Sequence, residues 1–497
     1  MEILLNDWLS HPEYWFSPTH AYDTYITNTY KHLFDTAHTQ PASLALIILY
    51  DQVARHVYRD DPKAIDHHLT NALLVRQELP PPEDATEWVF YQLPIRHQNI
   101  PKHVMQVIQE AWSKLKRETD SAQISILTQF IRASYQRLTY DPSLITLTTQ
   151  IPIRFSDFTD YVDILEFCPL EFQGNNRKSL LYQIFEEYMK KHSFTKIIMS
   201  VSGGVDSQVC LYVLKLLQDR YKYDLVALHI NYTNRTTKEA DFVIDWCRFL
   251  DVPCYIRHLN EIQRKPCMEF NLRETYETYT RNVRFNAYKY IQGDVFLGHN
   301  EDDCFENILT NIAHKNKYDN LRGMEETQTL DDITFHRPIL RIPKHSIYEY
   351  AHHVGIPYLQ DSTPAWSQRG RIRDKVRPAL EEWDSSIVDA FFDLSDVIQE
   401  YDALANAYLT NITREIIKSD DTYTIIFPSK TLTQCKRLWS KIFDHLDIHC
   451  SHKSMNNFME IIQKNQNNKI NINKNITIHQ SDNTFVIKPN PSSPSSE

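Results

Sequence analysis

The run Ser200-Val201-Ser202-Gly203-Gly204-Val205-Asp206-Ser207 gathers hydroxyls, two adjacent glycines and a carboxylate into one short stretch. Glycines let a backbone turn sharply and approach a ligand closely. The unpaired N–H groups of a first helical turn attract anions. Ser202 and Ser207 add hydroxyl donors. Asp206 would repel a phosphate, so beside an anion-binding turn its carboxylate suits a divalent cation. The chain has only eight glycines, at 174, 203, 204, 293, 298, 323, 355 and 370, where an average composition has about 7%. Two adjacent glycines in so glycine-poor a chain point to a backbone requirement.

A second cluster reads Gly298-His299-Asn300-Glu301-Asp302-Asp303-Cys304-Phe305-Glu306. Asp303 and Glu306 are three apart and share a helix face. Acids in a first turn are also favoured by the helix dipole, so the spacing leaves capping and ligand binding both open. Thr280-Arg281-Asn282-Val283-Arg284-Phe285 puts two arginines on one face, as a surface ion pair or a substrate-facing pair would. Residues 369–377 hold Arg369, Arg371, Arg373, Lys375 and Arg377 with one acid between them. That pattern suits a phosphate backbone; a solvated helix face is the alternative.

These residues need a scaffold. Strand-type segments at 196–201, 225–230, 254–259 and 294–298 alternate with helical patterns at 178–191, 207–220, 238–250 and 269–291. Such alternation predicts a parallel sheet covered on both faces, with ligands at the carboxyl ends of its strands. The fold class expected is therefore multidomain: an all-α N-terminal domain, a central α/β parallel-sheet (Rossmann-like) domain and a small α+β C-terminal region. The boundaries expected are 1–138 helical, 139–177 connector, 178–385 α/β, 386–490 accessory and 491–497 a disordered Pro/Ser tail.

The loop resembles the SGGxDS signature of the PP-loop (N-type) ATP pyrophosphatases; no Walker A pattern occurs. Across about 195–380 the chain is similar to the tRNA(Ile)-lysidine synthase subfamily. Arg281, Arg284 and Phe285 align with its A-R-x-x-R-Y block. Gly298, His299, Asp302, Asp303 and Glu306 align with its G-H-H-x-D-D-x-x-E-T block, Asn300 replacing the second His. Further matches are Arg322-Gly323-Met324, a strand at His336-Arg337-Pro338-Ile339-Leu340, a helix and strand from Tyr350-Ala351 to Gly355-Ile356-Pro357, Asp361-Ser362, and Arg369-Gly370-Arg371-Ile372-Arg373 with Gly370 in place of Asn.

The resemblance implies ATP with Mg²⁺ as cofactors, and tRNA and lysine as substrates. It implies adenylation of a wobble cytidine and attack by lysine to give lysidine. ATP would be bound by Ser202, Gly203, Gly204, Val205, Asp206, Ser207 and His299, with Asp206 also the metal ligand. Asp206, Arg281, Asp303 and Glu306 would be catalytic. Arg369, Arg371, Arg373 and Lys375 would hold tRNA. A PP-loop tRNA thiolase is the same-class alternative, with Cys304 beside Asp303 but no paired cysteines. A catalytically dead tRNA-binding scaffold is the other.

Residues 1 to about 138 read as wholly helical, and the first 100 resemble an uncharacterised TPR-like family through Leu49-Tyr50-Asp51-Gln52 and Phe90-Tyr91-Gln92-Leu93-Pro94-Ile95-Arg96-His97. Asp51, Arg55, Arg59 and His97 fit either a brace between helices or a site, and the half is a candidate to recruit a protein partner. Its first 150 residues carry 12 Lys+Arg against 17 Asp+Glu, no footprint for a nucleic acid. The whole chain has a net charge of -11 and eight scattered cysteines, which read as reduced thiols. With no leader pattern and no apolar run of about twenty residues, the expectation is a cytoplasmic protein away from membranes.

Overall fold

The computed structural model describes all residues except 16–19, 139–140, 175–176, 233–236, 314–322, 361–366, 415, 420–421, 465–468, 474–475 and 490–497. Arg322, Asp361-Ser362 and the 491–497 tail therefore lie outside the described residues. The chain divides into two compact units, residues 1–303 with 325–363, and residues 304–324 with 364–497.

The first unit begins all-helical, as expected. Helices at Pro62–Gln77, Ala85–His97 and Ser121–Arg137 start where Asp61, Asp84 and Asp120 accept hydrogen bonds from first-turn N–H groups. These are favourable N-caps that satisfy otherwise orphaned donors. Pro62 and Pro101 each open a helix, where the missing N–H costs nothing.

The central sheet is built from β1 (Ile145–Leu147), β3 (Lys196–Ser200), β4 (Asp224–Asn231), β5 (Cys254–His258), β6 (Asp294–Phe296), β7 (Thr327–Leu330) and β8 (Ile333–His336). Its order is β1-β5-β4-β3-β6-β8-β7. The five inner strands run parallel, and β1 and β7 close the edges antiparallel. A separate pair, β2 (Leu165–Phe167) and β9 (Tyr358–Leu359), is antiparallel. Strand alternation sends Ile198 into one core and Ile197 and Met199 into another. The first core continues without a break into the N-terminal helices, through Val89, Phe130 and Ile131. Tyr135 Oη also donates to the Glu261 carbonyl at 2.7 Å. The helical half thus covers one face of the sheet.

Two expectations need correction. The helix expected at 269–291 starts later, at Arg273–Ile291, and a separate short helix, Arg264–Glu269, precedes it. Asn271 takes a left-handed φ of 54° between them, a conformation that Asn tolerates and a helix interior does not. The strand expected at 336–340 lies earlier, at Ile333–His336. Arg337 N–H still reaches the Glu326 carbonyl, but Pro338 has no N–H, and turns at Leu340 and Ile342 follow.

The second unit contains a long helix, Ile387–Arg414, and a five-stranded antiparallel sheet. Its core packs Trp439, Phe443, Phe458 and Phe485. No described helix is long and apolar enough to cross a membrane.

Candidate functional site

Sheet order reverses between β3 and β6, since β4 and β5 lie to one side and β8 to the other. Such a switch point opens a crevice at the carboxyl ends of the strands. The 201–204 loop leaves β3 there, and Gly204 is the N-cap of the Val205–Tyr221 helix.

Gly203 has φ +91°, and a Cβ on it would stand 2.4 Å from Leu359 Cδ1. Leu359 N–H also bonds the Gly203 carbonyl at 2.9 Å. Only glycine meets both the left-handed backbone and the contact. Gly204, at φ -72°, is near nothing but Ser202 Oγ, at 3.6 Å. Gly298 serves the other wall: a Cβ there would meet the Asp206–Ser207 backbone at 3.1 Å. Within the loop, Ser202 N–H donates to Ser207 Oγ at 3.2 Å and Ser207 Oγ–H to the Gly204 carbonyl at 2.9 Å.

Asp206 bridges the crevice. Its Oδ1 accepts from Asn300 Nδ2 at 2.9 Å and its Oδ2 from Lys344 Nζ at 2.5 Å. Burial pushes the Asp206 carboxyl up, Lys344 pulls it down and nearby Asp303 adds to the rise, leaving it above its usual value. Burial works against the Lys344 charge too, but Asp206 more than offsets this and its pKa is raised. Asn300, 2% exposed, also exchanges bonds with Asp303: Asp303 N–H to Asn300 Oδ1 and Asn300 N–H to Asp303 Oδ2, both 3.2 Å. This reciprocal cap starts the Glu301–Ala313 helix. Asp303 therefore caps its helix and also faces Asp206.

A cavity of about 510 Å³ adjoins the loop, lined by Ser202, Asn231, Glu239, Arg264, Tyr276 and Arg284 among others. Of Arg281 and Arg284 on the 273–291 helix, Arg284 lines it. Arg281 is exposed, its guanidinium 4.4 Å from the Phe285 ring centre. His299 Nδ1 accepts from Arg337 Nε at 3.2 Å, and Arg337 is itself buried and bonded to the Glu325 carbonyl.

In the second unit Glu306 is buried, with Oε2 4.0 Å from Arg369 Nε. Arg371 and Lys375 are exposed. Arg373 bonds Asp374 at 3.0 Å and Arg377 bonds Glu381 at 2.7 Å. Ile372 turns inward, anchoring the basic helix by one apolar side chain.

Sequence reading missed Lys344. A signal existed: it is the first residue of the Lys344–Val354 helix, after Pro343, where a cation opposes the helix dipole. The N-terminal cluster also differs from expectation. Asp51 binds Arg55 and His97, whereas Arg59 pairs with Asp23.

The glycine cradle and exposed helix start fit a nucleotide phosphate. Asp206 and Asp303 are hard oxygen donors of the kind that hold Mg²⁺ together with substrate phosphates. Among the described residues no cluster of three or more His, Cys, Asp or Glu is assembled to hold a metal without such help.

Residues 177–380 match the family described as PP-loop domain, and residues 4–139 the family described as "Bacterial protein of unknown function (DUF924)". Several tRNA(Ile)-lysidine synthases are similar to the chain. That of Oceanobacillus iheyensis is 27% identical over 256 residues, 48% of this chain and 53% of its own. That of Chlamydia muridarum is 31% identical over 196 residues, 38% of this chain and 58% of its own. The chain thus spans about half the length of these relatives. Among solved structures, a U34-tRNA thiolase from Methanococcus maripaludis aligns at TM-score 0.37 and 17% identity, over 44% of this chain and 79% of its own.

Proposed function

We propose that the chain is an ATP-dependent tRNA-modifying ligase that forms lysidine at a wobble cytidine. The observation that supports the reading is the loop at the switch point, which carries the left-handed Gly203 turn and the Asp206 carboxylate bridged to Asn300 and Lys344, and whose Ser202 lines a cavity of nucleotide-compatible size.

In the first half-reaction the C2 carbonyl oxygen of cytidine attacks the α-phosphorus of ATP. A C–O–P link forms and the bond to pyrophosphate breaks. Loop N–H groups, Ser202 and Ser207 hold the phosphates, and Lys344 balances charge beside Asp206. Mg²⁺ at Asp206 would supply further charge neutralisation. In the second half-reaction the lysine amine attacks C2, loses a proton, and AMP leaves. Asp303 and Glu306 are assigned to the lysine amine, Arg281 or its neighbour Arg284 to the cytosine or the lysine carboxylate, and the 369–375 cations to tRNA phosphates. Most of the acceleration comes from positioning and preorganised charge.

Cys304, the cysteine nearest the site in sequence, is fully buried, which disfavours its use by a thiolase. The deciding experiment incubates the full chain with tRNA, ATP and lysine and measures nucleosides by mass spectrometry. Lysidine is the expected product. A thiolated nucleoside, or no change in tRNA together with no tRNA-dependent ATP–pyrophosphate exchange, overturns the reading.

A further inference from the structure

The helical half contains a second cavity of about 540 Å³. Five arginines line it: Arg55 from the Ala54–Val57 helix and Arg59 from the turn that follows, Arg96 from the Ala85–His97 helix, and Arg132 and Arg137 from the Ser121–Arg137 helix. Gathering five cations in a region that is acidic overall, at 12 basic against 17 acidic residues over 1–150, runs against its own composition. Like charges repel, so such a cluster costs stability unless something offsets it.

Protein carboxylates offset only part of it. Asp51 takes Arg55 and Asp23 takes Arg59. Among the described residues no carboxylate forms an ion pair with Arg96, Arg132 or Arg137. Arg137 reaches only the Asn99 amide oxygen, at 3.3 Å. Arg96 is 6% exposed. Its Nη2 donates to His97 Nε2 at 3.1 Å, while Nε and Nη1 have no hydrogen-bond partner among the described residues. Burial and Arg137 hold its pKa down, at about 9. An unpaired buried guanidinium is costly, and its planar fork matches phosphate oxygens.

The bonds behind Arg96 fix its direction. His97 accepts from Arg96 at Nε2, so it is the Nδ1–H tautomer that donates to Asp51, at 2.8 Å. Asp51 also takes Arg55 and sits where the helix widens into a π turn, Leu49–Val53, a distortion frequent at functional positions. The brace and the cavity are one construction: Asp51 and His97 hold Arg55 and Arg96 at its wall.

We infer that this cavity binds a phosphorylated small molecule carrying at least two negative charges. Three uncompensated arginines exceed what a monoanion needs. A concave volume of this size suits a small ligand, and the surrounding acidic half disfavours an extended nucleic acid. The inference is independent of the chemistry at the sheet.

The test uses the full chain and inorganic pyrophosphate, with hydrogen–deuterium exchange to separate this site from the glycine loop. Pyrophosphate is expected to protect segments 50–59, 92–99 and 128–137. Arg132→Glu, at an exposed position, should weaken that binding at least tenfold with an unchanged melting temperature. Arg96→Gln should do likewise, and Asp206→Ala, which retains the fold, should leave the protection in place. The inference is overturned if those segments gain no protection, or if Arg132→Glu binds pyrophosphate as the parent does. It is equally overturned if Arg132→Glu weakens tRNA binding alone, which would mark a nucleic-acid contact.

Discussion

Lys344 Nζ lies 2.5 Å from Asp206 Oδ2, although 138 positions separate the two residues. The lysine starts one helix and the aspartate sits in the first turn of another. Their charges meet at the mouth of the glycine loop, where the proposed chemistry needs a cation near phosphate and a carboxylate near metal.

Lys344→Met should therefore lower tRNA-dependent ATP–pyrophosphate exchange at least tenfold, about 1.4 kcal/mol. Asp206→Ala should abolish it with the fold retained. In an Asp206→Asn background, Lys344→Met should add little further loss, because residues acting as one unit are not additive. Full multiplication of the two effects would show that the pair does not work together.

Gly203→Ala and Gly204→Ala should part ways. The first forces a side chain into left-handed backbone, roughly 1–2 kcal/mol, and against Leu359. It should lower the melting temperature and abolish ATP binding by calorimetry. Leu359→Ala should restore some stability by removing the overlap. Gly204→Ala, with ordinary φ and open space, should fold normally.

The exposed cations of the second unit provide a salt test. Arg371→Ala with Lys375→Ala should weaken tRNA binding and reduce the slope of log affinity against log salt by about one to two units. Equal slopes for parent and variant would make the run a solvated face.

Glu306→Gln keeps shape and removes charge. The apparent KM for lysine should rise at least about tenfold, with ATP affinity little changed. Loss of ATP binding with unaltered lysine dependence would move this acid to the metal. Arg369→Ala should not mimic the substitution, since a pair 4.0 Å apart with a 62%-exposed arginine contributes little.

Acid should loosen the helical half first. Burial holds the His97 pKa down at about 3, so between its ordinary 6.5 and that value the unfolded chain binds a proton that the fold does not. The stability this gives above pH 6.5 is lost as pH falls toward 3. For Asp51, burial pushes up but His97 and Arg55 prevail, and its pKa is about 2 against 3.8. Its contribution disappears as pH falls from 3.8 toward 2. Melting temperature against pH should decline through this window, and His97→Gln should flatten the upper part.

Much was legible in the residues themselves. The strand–glycine–helix order announced the loop, because φ preference and the exposed N–H groups of a helix start are local properties. The βα alternation announced the parallel sheet for the same reason: hydrophobic period is written along the chain. What the sequence could not place was anything decided by distance in space. Lys344 reaches Asp206, Asn300 joins Asp206 to Asp303, and Leu359, on the separate β2–β9 pair, closes over Gly203 only because tertiary packing brings these segments to one switch point. Arg281 and Arg284 share a helix face in the sequence, yet packing turns Arg284 to the cavity and leaves Arg281 outside. Asp51, Arg55 and His97 looked like a brace or a site, and packing of the helices puts Arg55 and His97 on the wall of a cavity, with Asp51 behind them, whose other arginines come from elsewhere in the chain. Local backbone chemistry is encoded residue by residue, whereas charge partnership depends on which surfaces the core brings together.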